Sequence, residues 1–218
     1  MIAAPTRLRR ALDKLDSRGN ATIEFALILP LLLTLGLYGT ELAYMASVRM
    51  EVGELASSVA DNASRLGQTD NSGVTPTITE NDINSLMNGA VEQGKSFNFV
   101  DHGRLILTSL ERDPATGKQW IHWQRCIGSQ TTRTSAYGNQ TNKNGINGPV
   151  IVGLGKSKVT AAAGAPVMFV EVFYDYQPLF GSMYLKEQAS FKQEAAYQVR
   201  DDRNLTPGVT GTGGKADC

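Results

Sequence analysis

One carboxylate, Glu24, stands at the head of the most apolar stretch of this 218-residue chain, "RGNATIEFALILPLLLTLGLYG", residues 18–39. A carboxylate in lipid is costly, and its cost falls when it pairs with a cation or an amine. Other residues invite chemistry less strongly. Cys126 and Cys218 are two thiols that an oxidising compartment could join; the alternative is two unpaired thiols, with Cys218 on a mobile tail. His102 and His122 are the only histidines, and with so few ligands no metal site is expected. "VGLGKSK", residues 152–158, resembles a phosphate loop, but the spacing needs glycine at position 150, which is Val150. It reads as a glycine-rich turn. No serine, histidine and aspartate fall into a triad motif, and Asp201–Asp202 read as a solvated pair. Neither an enzyme nor a cofactor is expected.

The elements around Glu24 explain more. Arg7, Arg9, Arg10, Lys14 and Arg18 make a basic leader, and no further lysine or arginine occurs before Arg49. Between Glu24 and Glu41 every residue is uncharged. That run is a little shorter than the roughly 20 residues of a membrane span, unless its flanks contribute. The basic end predicts a cytoplasmic N-terminus with residues 50–218 outside. A cleaved secretory signal fits poorly, since Tyr44 and Met45 stand where small residues are wanted. A buried helix of a soluble protein fits poorly too, because no charge marks a wet face over residues 25–38. Beyond Met45 the pattern turns amphipathic. Val48, Val52, Leu55, Val59 and Leu66 form one stripe, with Arg49, Glu51, Glu54, Asp61 and Arg65 off it. One helix from about 21 to 66 is expected, ended by Gly67 and kinked by Pro30.

Gly19, the four residues Asn20 to Ile23, Glu24 with the aromatic Phe25, and the early Pro30 together resemble the N-terminal segment of the TadE-like family. These are pilin-like proteins of tight-adherence (Flp-type) pilus systems. The resemblance covers about residues 17–50. It implies that a prepilin peptidase cuts after Gly19 and leaves Asn20 as the mature N-terminus. The new amine could then pair with a carboxylate such as Glu24 on a neighbouring subunit. Phe25 departs from the usual tyrosine of these pilins, keeping the ring and losing the hydroxyl.

Residues 67–80 read as a linker. Thr79 begins a short helix with Ile83, Leu86, Met87 and Val91 on one face. "RLILTSLERDPATGKQWIHWQRC" reads as a hairpin turning at Asp113–Gly117, with Trp120, His122 and Gln124 on one side of the return strand. Ile121, Trp123 and Arg125 take the other side. The tryptophans suit either a binding surface or a two-faced strand, one ring in the core and one at the sheet edge. Residues 128–149 read as a long exposed loop. In 165–180, Met168, Val170, Val172, Tyr174 and Tyr176 form the apolar face of a strand, and "ASFKQEAAYQVR" forms the last one. The expected architecture is α+β, a long N-terminal helix followed by a small antiparallel sheet. Its parts are a leader (1–19), the helix (20–66), an extracytoplasmic domain (67–200) and a flexible glycine-rich tail (201–218).

With zero formal net charge, nothing favours a nucleic-acid partner. Expected partners are the lipid bilayer, prepilin peptidase and other pilin or pilus-assembly subunits, at a bacterial inner membrane with the domain periplasmic or extracellular. The alternative is an uncleaved single-pass protein whose external domain binds a ligand or protein.

Overall fold

The computed structural model describes residues 18–67, 75–141, 144–181, 189–200, 202–211 and 213–218, with Arg18, Gly19 and Asn20 described by backbone only. Residues 1–17 of the expected leader (1–19) and residues 68–74 of the expected 67–80 linker lie outside the described residues, as does Asp201.

A single helix, α1 (Arg18–Ser64), runs for 47 residues, about 70 Å at 1.5 Å per residue. It passes through Pro30, and the Thr34 hydroxyl donates to the Pro30 carbonyl at 2.7 Å. Its second half behaves as its stripe predicts: Val48, Val52, Leu55 and Val59 are all buried. Each such side chain contributes roughly 1.5–3 kcal/mol when removed from water. The end of α1 is capped from afar. One terminal nitrogen of Arg203 donates to the carbonyls of Ala63, Ser64 and Leu66 at 3.3, 3.2 and 2.5 Å. A cation there satisfies orphan carbonyls and complements the helix dipole.

Helix α2 (Glu80–Gln93) opens with a capping box. The Asp82 amide donates to the Thr79 hydroxyl at 3.3 Å and the Thr79 amide to the Asp82 carboxylate at 2.9 Å. Glu80, Ile83, Met87 and Ala90 are its buried residues. Ala90 therefore fills the place expected for Val91, which is only half-buried. A 3-10 turn (Gly94–Phe97) and the short α3 (Phe99–His102) lead into the sheet.

The four strands are β1 (Gly103–Arg112), β2 (Gln119–Ile127), β3 (Val167–Asp175) and β4 (Ser190–Gln198), ordered β2-β1-β3-β4 and antiparallel throughout. The β1–β2 hairpin closes where expected: the Gly117 amide donates to the Asp113 carbonyl at 2.8 Å, and Gly117 takes φ 70°. Helices α1 and α2 cover one sheet face. Leu105, Leu107, Trp123, Met168, Val170, Val172, Tyr174 and Tyr176 fill the core beneath them.

Three expectations need correction. First, Ile121 and Trp123 do not share a face. The β1–β2 register pairs Ser109 with Trp123 and Leu110 with Ile121, skipping His122. This bulge sends Trp123 to the helix side and Ile121 to the other core. It also leaves both tryptophans on one face, against the expected alternation: Trp120 pairs with Glu111 and Trp123 with Ser109, two residues apart on β1. Trp123 is 5% exposed, and the Trp120 ring lies 4.4 Å from the His122 ring. Second, the polar 128–149 segment is not a free loop. Its described residues, with residues 150–162, roof the second sheet face, where Leu110, Ile121, Ile151, Leu154, Val167 and Phe169 form a separate core. Tyr137 packs edge-on against Phe169. Gln140 accepts from the Gln124 amide, and Gly138 from its side chain. At Gly145, φ 104°, a β-carbon would fall 2.1 Å from the Gln119 carbonyl oxygen, so only glycine fits this close approach. Third, the C-terminal segment is docked rather than trailing. Thr210 bridges Thr79, Asn84 donates to Gly214 and the Cys126 amide donates to Ala216 at 2.7 Å. Backbone groups that looked free in sequence find distant partners.

Beneath the roof lies a compact charge network. Glu171 is fully buried; Lys192 Nζ is 2.8 Å from it and 2.7 Å from Glu194, and the Tyr137 hydroxyl donates to Glu194 at 2.7 Å. Burial alone would raise the Glu194 pKa, but hydrogen bonds from Lys192 and Tyr137 outweigh it and hold the value below the ordinary 4.5. A carboxylate with a depressed folded value stabilises the fold above the unfolded pKa, and that contribution disappears as pH falls through the folded value. Glu194→Gln is therefore expected to lose stability at neutral pH and to flatten the decline of stability on acidification. Thermal melts across the acid range check this; an unchanged acid slope would exclude Glu194 as a contributor.

Candidate functional site

The first half of α1 contrasts with the second. From residue 21 to residue 40 every position is exposed except half-buried Leu29. Ile23, Phe25, Leu27, Leu31, Leu32, Leu33 and Leu35 are among the exposed large apolar side chains. This is the one helix among the described residues that is long and apolar enough to cross a membrane, and none of its most apolar window is buried. An apolar surface of this extent implies lipid or another protein around it. Thr34 and Thr40 turn their hydroxyls back onto the Pro30 and Gly36 carbonyls, which limits the polarity they present.

The residues expected to matter for processing and assembly lie at the start of this half. Gly19 and Asn20 are in the first turn of α1. Glu24, Phe25 and Pro30 are exposed, and Glu24 has no ion-pair partner among the described residues. The fold does not gather these residues into a pocket; it strings them along one unpacked helix.

The junction between the two halves is a site that sequence reasoning missed. Glu41 is 0% exposed. One carboxylate oxygen accepts from the Tyr176 hydroxyl at 2.6 Å and the Leu179 amide at 3.3 Å; the other accepts from the Phe180 amide at 3.1 Å. Burial, then the hydrogen bond to Glu41, pushes the Tyr176 pKa well above its ordinary value, so its hydroxyl remains a donor at physiological pH. Tyr44 and Phe191 flank Tyr176, with ring centroids at 5.9 and 5.8 Å. Glu41 thus fastens the helix, where its exposed half ends, to the end of β3. The available signal was a second glutamate at the far edge of the apolar run, with Tyr176 and Pro178 following a strand.

Two further tethers bind the distant ends of the domain. Cys126 and Cys218 form a disulfide with a Cα–Cα distance of 5.0 Å. Next to it, Arg125 on β2 makes a buried bidentate pair with Glu80 of α2, contacts Gln140 and lies 3.6 Å from Asp217. Bidentate geometry compensates the desolvation of both partners.

Comparison with known proteins agrees with the helix. Residues 19–61 match the family model described as TadE-like protein. The match begins at Gly19, contains Glu24, Pro30 and Glu41, and ends inside α1, before the sheet. No curated protein and no solved structure gives a significant match. The family match and the exposed apolar helix fit a membrane protein related to tight-adherence pili.

Proposed function

We propose that this chain is a membrane-inserted, pilin-like minor pseudopilin or assembly factor of a bacterial tight-adherence pilus, acting by helix packing and not by catalysis. The observation that carries this reading is the division of α1: one half sealed onto the sheet, the other apolar and uncovered along its length. In this reading the leader's charges hold the uncut chain at the cytoplasmic face of the inner membrane. Prepilin peptidase cuts after Gly19, and the amine of Asn20 pairs with Glu24 of a neighbouring subunit. Exposed Phe25 and Pro30 lie on the same unpacked half of the helix. The disulfide supports a periplasmic or extracellular domain, because such bonds persist in oxidising compartments.

Intact mass and N-terminal sequencing of protein purified from membranes test the processing step. A mature chain beginning at Asn20 is expected, and Gly19→Leu should leave the leader attached. Glu24→Ala should preserve cleavage but reduce assembly into pilus-containing fractions by an order of magnitude or more. An intact leader on the native protein would refute the pilin-like reading in favour of an uncleaved anchor. Normal assembly of the Glu24→Ala protein would refute the ion pair.

A further inference from the structure

The apolar run between Glu24 and Glu41 spans about 25 Å of helix axis, whereas a bilayer's hydrocarbon core is about 30 Å thick. With Glu24 at one boundary, the other boundary falls at or just beyond Glu41, and tilting the helix brings Glu41 still deeper. A charged group at that depth needs protein cover, and Glu41 has it. Its carboxylate is enclosed by the Tyr176 hydroxyl and the amides of Leu179 and Phe180. Those hydrogen bonds fix residues 179 and 180 at the level of Glu41. Leu179 is nevertheless 51% exposed, next to a helix surface where Leu37, Tyr38 and Leu42 are exposed as well.

We infer that Leu179 and Phe180, at the start of the β3–β4 connection, form a lipid contact that seats the domain on the bilayer beside α1. This rests on the membrane-inserted reading of α1 and goes beyond it. The membrane partner is then not the helix alone. Leu179 and Phe180 supply apolar surface at the boundary, shield Glu41 from lipid and make up for the short span. The continuity of the patch with the exposed helix selects lipid as its occupant. The domain lies against the membrane, with the other end of the sheet pointing away. The connection between β2 and β3 passes that far end, where Ile151 bridges Gln119. Val152 is 67% exposed there.

The test uses the full-length protein with its native disulfide intact, reconstituted into phosphatidylcholine–phosphatidylglycerol vesicles. Leu179→Cys, Leu31→Cys and Val152→Cys each receive an environment-sensitive fluorophore. Quenching is then read with lipids carrying a nitroxide on the acyl chain near the headgroup. We expect the labels at 31 and 179 to be quenched several-fold more than the label at 152. Quenching at 31 with residue 179 no more quenched than residue 152 overturns the lipid seat and leaves the inserted helix standing. Absence of quenching at 31 and at 179 overturns both. A blue-shifted label at 179 that lipid nitroxides do not quench identifies a protein neighbour instead and likewise overturns the lipid assignment.

Discussion

Glu41→Ala is expected to loosen the joint between the exposed helix and the domain, at a cost of about 3 kcal/mol. It strands a tyrosine hydroxyl and two backbone amides in a site that water does not reach, and unsatisfied buried donors cost about 1–3 kcal/mol each. The figure takes the lower end of that range for each of the three donors, which can reorient once the carboxylate is gone. For a chain of this size the loss corresponds to a melting point roughly 6–12 °C lower. Amide exchange should accelerate at residues 176–181 before it does in β1, since the lost contacts are local to the end of β3. Glu41→Gln keeps one acceptor oxygen and should recover part of the loss. Tyr176→Phe removes one donor along with its hydrogen bond and should cost less than Glu41→Ala. Equal melting points and equal exchange for native and Glu41→Ala proteins would mean that the junction is held by the apolar contacts of Tyr44 and Tyr176 alone.

The second large effect concerns the C-terminus. Cys126 and Cys218 are separated by 92 residues in sequence, and closing a loop of that size restricts the unfolded chain by about 4–5 kcal/mol in the chain-entropy account. Cys126→Ser should therefore lower the melting point by about 10 °C or more. It should also release the last residues, whose bonds to the rest of the domain run through the Ala216 carbonyl, the Gly214 carbonyl and Asp217. The Arg125–Glu80 pair would lose its neighbour Asp217 but keep its bidentate contact. Full reduction of the native protein should reproduce the Cys126→Ser melt. If Cys126→Ser and native proteins melt together, the bridge contributes nothing that the Arg125 network does not already supply. Neither outcome bears on membrane insertion, because the disulfide lies on β2, whereas α1 packs on β3 and β4 with β1 between.

The elements that were legible in the sequence are those whose cause is local. The division of α1 into an apolar half and an amphipathic half follows from which residues recur at helical spacing. The Thr79 capping box and the Asp113–Gly117 turn are closed by groups within a few residues of one another. The alternating face of β3 identified the side chains under the helices. The resemblance of residues around Gly19, Glu24 and Pro30 to a pilus family was likewise legible, because that pattern lies within one continuous segment.

What only the tertiary structure decided depends on groups far apart in the chain. Glu41 looked like the polar end of a membrane run; it is a buried acceptor because the end of β3, well over a hundred residues later, returns to it. Residues 128–149 looked solvated by composition, yet their polar groups satisfy β2 and their one tyrosine seals Phe169. The bulge at His122 reverses Ile121 relative to Trp123, and no alternation rule applied to β2 alone reveals it, because the skipped residue is defined by the register with β1. The C-terminal glycines suggested freedom, but hydrogen bonds to α2 and β2 and a disulfide take that freedom away. Local periodicity selects the elements and their apolar faces; the partners of buried polar groups are chosen only when distant segments meet, because burying each such group without one costs more than most single contacts supply.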